Sequence, residues 1–123
     1  MEKVVMNFKF KYEIYLPDRY LADNKSEVKI FSSLELCNKI TDLVNKLLTD
    51  YKVTGVSIRK EDGYYKDERG SVNVMKNQVL YFYSGNKINL NDLVFDLCKS
   101  WKQESIMYTV NGEAYIVYIN GEV

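Results

Sequence analysis

The stretch Phe8–Leu16, FKFKYEIYL, alternates without a fault. Phe8, Phe10, Tyr12, Ile14 and Leu16 fall on one side of an extended chain, and Lys9, Lys11, Glu13 and Tyr15 on the other. Successive side chains of a strand point to opposite faces, so this period-two pattern specifies a strand with one dry face and one wet face. The fold then turns on what covers the dry face.

Two apolar stripes at helical spacing supply the cover. Ser32 and Glu35 have the S-x-x-E spacing of a capping box. Behind them Leu36, Cys37, Ile40, Leu43, Val44, Leu47, Leu48 and Tyr51 recur at three and four, the signature of one buried helical face. Leu90, Leu93, Val94, Leu97, Cys98 and Trp101 repeat the pattern, with Asn89 or Asn91 as the N-cap. Pro17 ends the first strand, and a polar connection follows with a short edge strand near Val28–Phe31. Between the helices, a strand over Val53–Lys60 and a return strand over Val72–Tyr83 flank a charged tip, KEDGYYKDERGS. After the second helix, Asn111-Gly112 separates Ser105–Val110 from Glu113–Ile119 and predicts a hairpin with a type I′ turn.

The order strand, helix, strand, strand, helix, strand, strand predicts one α+β domain over residues 1–123. Its first six elements are the ferredoxin-like β-α-β-β-α-β, with an extra C-terminal strand and two helices on one face of a mainly antiparallel sheet. Asn-Gly-Glu recurs at Asn120–Glu122, which leaves the last strand at a sheet edge with unpaired backbone groups.

Composition narrows the chemistry. Lys plus Arg and Asp plus Glu number 17 each, so the formal net charge is zero and general nucleic-acid binding is disfavoured. There is no histidine, which removes the commonest general base and metal ligand. Cys37 and Cys98 read as buried, reduced thiols on the helix stripes. The acids Glu61, Asp62, Asp67 and Glu68 alternate with Lys60, Lys66 and Arg69, as on a solvated tip, so neither a metal nor a cofactor is expected. No Walker or Rossmann glycine pattern is present, and Ser84-Gly85-Asn86 ahead of the second helix reads as a turn and cap. No apolar run approaches a membrane span, and a cytoplasmic protein is expected.

The wet face carries the functional expectation. If Leu80 and Phe82 face the helices, Val79, Tyr81 and Tyr83 face away, with Tyr15, Arg59 and either Tyr115 or Tyr118 beside them. The chain has 11 tyrosines and only three arginines, Arg19, Arg59 and Arg69. Aromatic rings with a guanidinium make a recognition surface. Glu104 and Glu113 are the carboxylates that join it if the last hairpin lines a cleft.

Four segments also resemble a family of small bacterial ferredoxin-like proteins of unknown function: YEIYL (Tyr12–Leu16), GVSIRKEDGYY (Gly55–Tyr65), QVLYFY (Gln78–Tyr83) and WKQESIMY (Trp101–Tyr108). Tyr65 stands where that pattern has Trp, and Gln103, Glu104 and Ser105 match it best. The resemblance implies the ferredoxin-like fold and no activity. In style the chain is similar to stand-alone proteins of low-GC bacteria and their phages, among them stoichiometric inhibitors of host defence.

The expected function is therefore a non-enzymatic binding protein, a homodimer through its edge or open face. It would sequester another protein, or a small anionic or nucleotide-like ligand held between subunits, through Tyr15, Arg59, Tyr81, Tyr83 and Glu104. The alternative is a small dimeric enzyme with its active site on the open face, using Glu104, Arg59 and Tyr81.

Overall fold

The computed structural model describes residues 2–22, 27–66 and 69–119. Most of the alternating stretch forms β1 (Phe10–Pro17), which starts two residues later than expected and leaves Phe8 exposed, followed by β2 (Arg19–Leu21) and β3 (Val28–Ile30). Then come α1 (Ser33–Thr49), β4 (Ser57–Lys66), β5 (Val72–Ser84), α2 (Asn91–Ser100), β6 (Ser105–Val110) and β7 (Glu113–Tyr118). The main sheet has the order β4-β5-β1-β6-β7, and every neighbouring pair is antiparallel. That is the ferredoxin-like α+β arrangement with one added edge strand. β2 and β3 pair separately as a small two-stranded flap.

The core lies between this sheet and the helices. Tyr12, Ile14 and Leu16 of β1 are fully buried, as are Leu80 of β5 and Val94 and Cys98 of α2. Trp101 closes α2 and meets Phe31 edge-on at 5.5 Å. Gln103 turns inward at the end of this corner, its Nε2 donating to the carbonyls of Arg19 at 2.7 Å and Trp101 at 2.9 Å. The Ser32–Glu35 capping box forms in both directions.

Three expectations are corrected. Cys37 is exposed, because α1 buries only Leu43 and Leu47 fully and its stripe is narrower than its spacing suggests. Cys98 is the buried thiol, and burial pushes its pKa up, which makes it a poor nucleophile. The N-cap of α2 is Leu90 without a side-chain cap; Asn89 Oδ1 instead accepts from the Asn91 amide at 2.9 Å. β4 starts at Ser57 and runs to Lys66, later at both ends than the sequence suggests. β4 extends because the charged residues alternate across its two faces and pair with β5 in register from Ser57↔Tyr81 to Lys66↔Val72. Asp67, Glu68 and the second Asn-Gly-Glu, Asn120–Glu122, lie outside the described residues.

The last hairpin follows its turn chemistry. Asn111 and Gly112 both have positive φ, 50° and 82°, as a type I′ turn requires. Asn111 also hooks the start of β1: its Oδ1 accepts from the Lys11 amide at 2.7 Å and its Nδ2 donates to the Lys9 carbonyl at 3.2 Å. Among the described residues, no helix is long and apolar enough to cross a membrane.

Candidate functional site on the open sheet face

Antiparallel registry places directly paired residues on the same face. Ser57, Tyr81, Glu13, Thr109 and Ala114 therefore form one row across all five strands, on the side away from the helices. Arg59, Val79 and Tyr15 form the next row, and Lys11 and Tyr83 flank the first on the other side.

Glu13 is the centre of this face. Its Oε2 accepts from Arg59 Nη2 at 2.5 Å, and its Oε1 accepts from Thr109 Oγ1 at 2.8 Å. Arg59 Nε donates to Glu61 Oε2 at 2.7 Å, and Nη2 also reaches the Tyr15 hydroxyl at 3.4 Å. Burial opposes ionisation of Glu13, but hydrogen bonds from Arg59 and Thr109 outweigh it and hold the carboxyl below the ordinary carboxylate range. Tyr15 is pushed up, first by burial and then by the charges of Glu13 and Glu61. The Arg59 pKa is raised by its hydrogen bonds to Glu13 and Glu61, so the guanidinium is permanently charged. The result is a carboxylate–guanidinium–carboxylate chain with a neutral phenol at its side.

Rings complete the face. Arg59 Cζ lies 5.4 Å from the centre of the Tyr81 ring, and Lys11 Nζ lies 5.5 Å from Tyr81 and 5.9 Å from Tyr83. Val79, on this open side, is nevertheless fully buried. Toward the β4–β5 tip, Asn77 is buried and its Nδ2 donates to the Tyr65 hydroxyl at 3.2 Å. Gly63 permits this: a Cβ there would come within 2.8 Å of the Tyr65 ring.

Of the expected site residues, the structure brings together Tyr15, Arg59, Tyr81 and Tyr83. Tyr118 shares their face, whereas Tyr115 stacks on Tyr108 on the helix side at 5.3 Å. Glu104 is not among them: it is exposed in the connection before β6, where its carbonyl accepts from the Ile119 amide. Glu13, Glu61 and Thr109 take the place expected of Glu104. Glu13 was visible as a wet-face residue of the opening stretch, but its partner depends on strand registry.

A separate cavity of about 290 Å³ lies between α1 and α2, lined by Lys39, Asp42, Lys46, Asp96 and Trp101 among others. It sits on the helix side of the sheet, and its lining charges are of both signs. The open face is the better candidate because its polar groups do converge. Among the described residues no three of Asp, Glu, Cys or His are grouped to hold a metal.

No family model and no curated protein matches the chain. Its architecture matches two solved structures from end to end. One is a phage SAM lyase in complex with S-methyl-5′-thioadenosine, at 11% identity over 100% of this chain and 99% of that one, with a TM-score of 0.66. The other is a phage SAM lyase in the apo state, at 14% identity over 98% and 100%, with a TM-score of 0.59. These likenesses correct the expectation of a non-enzymatic binding protein: both matching structures are of a phage SAM lyase, an enzyme, and the enzyme alternative is the better supported.

Proposed function

We propose that this protein is a lyase that cleaves SAM (S-adenosylmethionine) to S-methyl-5′-thioadenosine on the open face of its sheet. The observation that carries the reading is the end-to-end match of architecture to a SAM lyase holding that nucleoside. The tyrosines and the Glu13–Arg59–Glu61 chain supply the ring faces and fixed charges that a nucleoside sulfonium requires.

The chemistry asks little of the protein in proton transfer. SAM is a sulfonium; when the bond from sulfur to the aminocarboxypropyl chain breaks, its electron pair stays on sulfur and the neutral thioether leaves. A lyase adds no water, and with both Glu13 oxygens already engaged as acceptors the route that needs no base is the one in which the substrate's own carboxylate oxygen attacks the carbon and closes a lactone. One C–O bond forms, one C–S bond breaks, and no proton moves. Opposite charges are neutralised in that step, so a site that excludes water and presents fixed dipoles favours it. Both Glu13 oxygens already accept hydrogen bonds, which suits an electrostatic role better than that of a base.

The same reading places the protein in the cytoplasm, acting on a host cell's methyl-donor pool. That is consistent with a phage-type role against host defence enzymes that use SAM. It includes a second copy of the chain as partner, bound along the β7 side.

The test is direct. Purified protein is incubated with SAM and the mixture is read by mass spectrometry for S-methyl-5′-thioadenosine. Wild type is expected to release it, and Glu13→Gln and Arg59→Ala to lower kcat/KM about 100-fold, the scale of losing one preorganised electrostatic contact. Absence of both turnover and S-methyl-5′-thioadenosine binding would overturn the lyase reading.

A further inference from the structure

On the open face the Lys11 ammonium lies against the rings of Tyr81 and Tyr83, near enough to Glu13 for its charge to favour the carboxylate but in no hydrogen bond to it. Its backbone is fixed, because Asn111 accepts from the Lys11 amide and donates its own amide to the Lys11 carbonyl at 2.8 Å. The side chain above that anchor is held by the rings and the Glu13 charge alone, with no hydrogen bond of its own among the described residues. The charges of the face balance while Lys11 is in place: Glu13 and Glu61 against Arg59 and Lys11. Withdrawing the ammonium leaves the face with one net negative charge beside two ring faces.

A sulfonium fits that vacated position better than an ammonium does. It carries a positive charge on methylated carbons, has no N–H to donate and is weakly hydrated. Ring faces are the usual recognition element for such cations. The lysine ammonium is compact and strongly hydrated, and it returns to water at little cost. We infer that the Tyr81–Tyr83 ring pair is an organic-cation subsite that Lys11 occupies in the free protein and yields to the sulfonium of the substrate. The inference rests on the lyase reading for the identity of the cation, and on ring geometry alone for the existence of the subsite. It also supplies a release device. Cleavage turns the sulfonium into a neutral thioether, the ring faces lose their attraction for it, and Lys11 moves back.

The first test does not depend on turnover. Trimethylsulfonium is titrated into wild type, Lys11→Thr, Lys11→Arg and the double variant Lys11→Thr/Tyr81→Leu, with the tyrosine ring resonances followed by NMR. Lys11→Thr removes the competing cation and is expected to bind at least about fivefold more tightly than wild type, with shifts at Tyr81 and Tyr83. Lys11→Arg keeps a cation and should stay near wild type; the double variant should lose binding. Equal affinity in wild type and Lys11→Thr, or shifts absent from both rings, overturns the inference. The second test compares SAM with S-adenosylhomocysteine, which lacks only the methyl group and the charge. Lys11→Thr should lower KM for SAM and leave inhibition by S-adenosylhomocysteine within about twofold. Parallel changes for both ligands also overturn it. If trimethylsulfonium binds as expected while the protein neither cleaves SAM nor binds S-methyl-5′-thioadenosine, the lyase reading falls and the cation subsite stands.

Discussion

At the scale of single residues, Glu13 shows how an ordinary wet-face position becomes the hub of a site. Its side chain is only 13% exposed, and both oxygens are engaged. Replacing it with Gln removes the charge that Arg59 faces and is expected to cost about 1–3 kcal/mol at neutral pH. The pH dependence gives the sign. The folded-state pKa of Glu13 is depressed, so its stabilisation is fully present above the unfolded carboxylate value and is lost as pH falls through the folded value. Urea unfolding of wild type and Glu13→Gln should therefore differ most at about pH 7, with the gap closing only as pH falls below the ordinary carboxylate range. A gap that stays constant with pH would mean that the Glu13 charge adds nothing to the fold. The wet-face position of Glu13 and the scarcity of arginine were both legible in the sequence. Their pairing was not, because it needs β5 to lie between β1 and β4, and no local pattern states that order. Glu104 was chosen for the opposite reason: its sequence neighbourhood was distinctive, but the sheet places it beyond the end of the polar row.

At the scale of elements, turn chemistry was the most legible feature and strand ends the least. Asn-Gly specified its turn because two successive positive φ values exclude most other residues. The end of β4 was hidden because GYYK carries the charges and the glycine of a loop, although Tyr65 folds back over Gly63 to bond Asn77. The Asn111 turn also reaches beyond its own hairpin, since its side chain bonds Lys9 and Lys11. Asn111→Ala is thus expected to cost about 1–2 kcal/mol, from the lost hydrogen bonds and because Ala tolerates the left-handed region less well than Asn. Gly at the same position tolerates that backbone conformation, so Asn111→Gly should recover part of the loss. A lower urea midpoint with an unchanged slope is the expected reading for both. If Asn111→Gly loses as much as Asn111→Ala, the side-chain hook carries the whole effect and the backbone conformation none.

At the scale of the whole molecule, the helices cover one side of the sheet and leave the other open. The two parts of that open side differ. The β4–β5–β1 part carries the polar chain and the rings, whereas β7 presents Ile116 and Tyr118 at 51% and 64% exposure. β7 is also the end of the strand order, so its outer backbone groups have no partner strand among the described residues. An apolar edge strand is a template for pairing unless charge or a covering segment blunts it. The proposed second copy would extend the sheet there and keep the Glu13–Arg59 region free for a ligand. Sedimentation equilibrium should then give twice the 14.4 kDa chain mass. Ile116→Lys places a charge on the exposed face of the edge and should shift the mass toward the monomer. Because Ile116 is half exposed, that change should leave the thermal midpoint of the monomer nearly unaltered. A wild type that sediments as a monomer at about 100 μM, a concentration at which a specific interface of micromolar affinity is formed, would remove the second copy from the proposal. A dimer indifferent to Ile116→Lys would move the interface to another surface, with the β4 edge as the next to test.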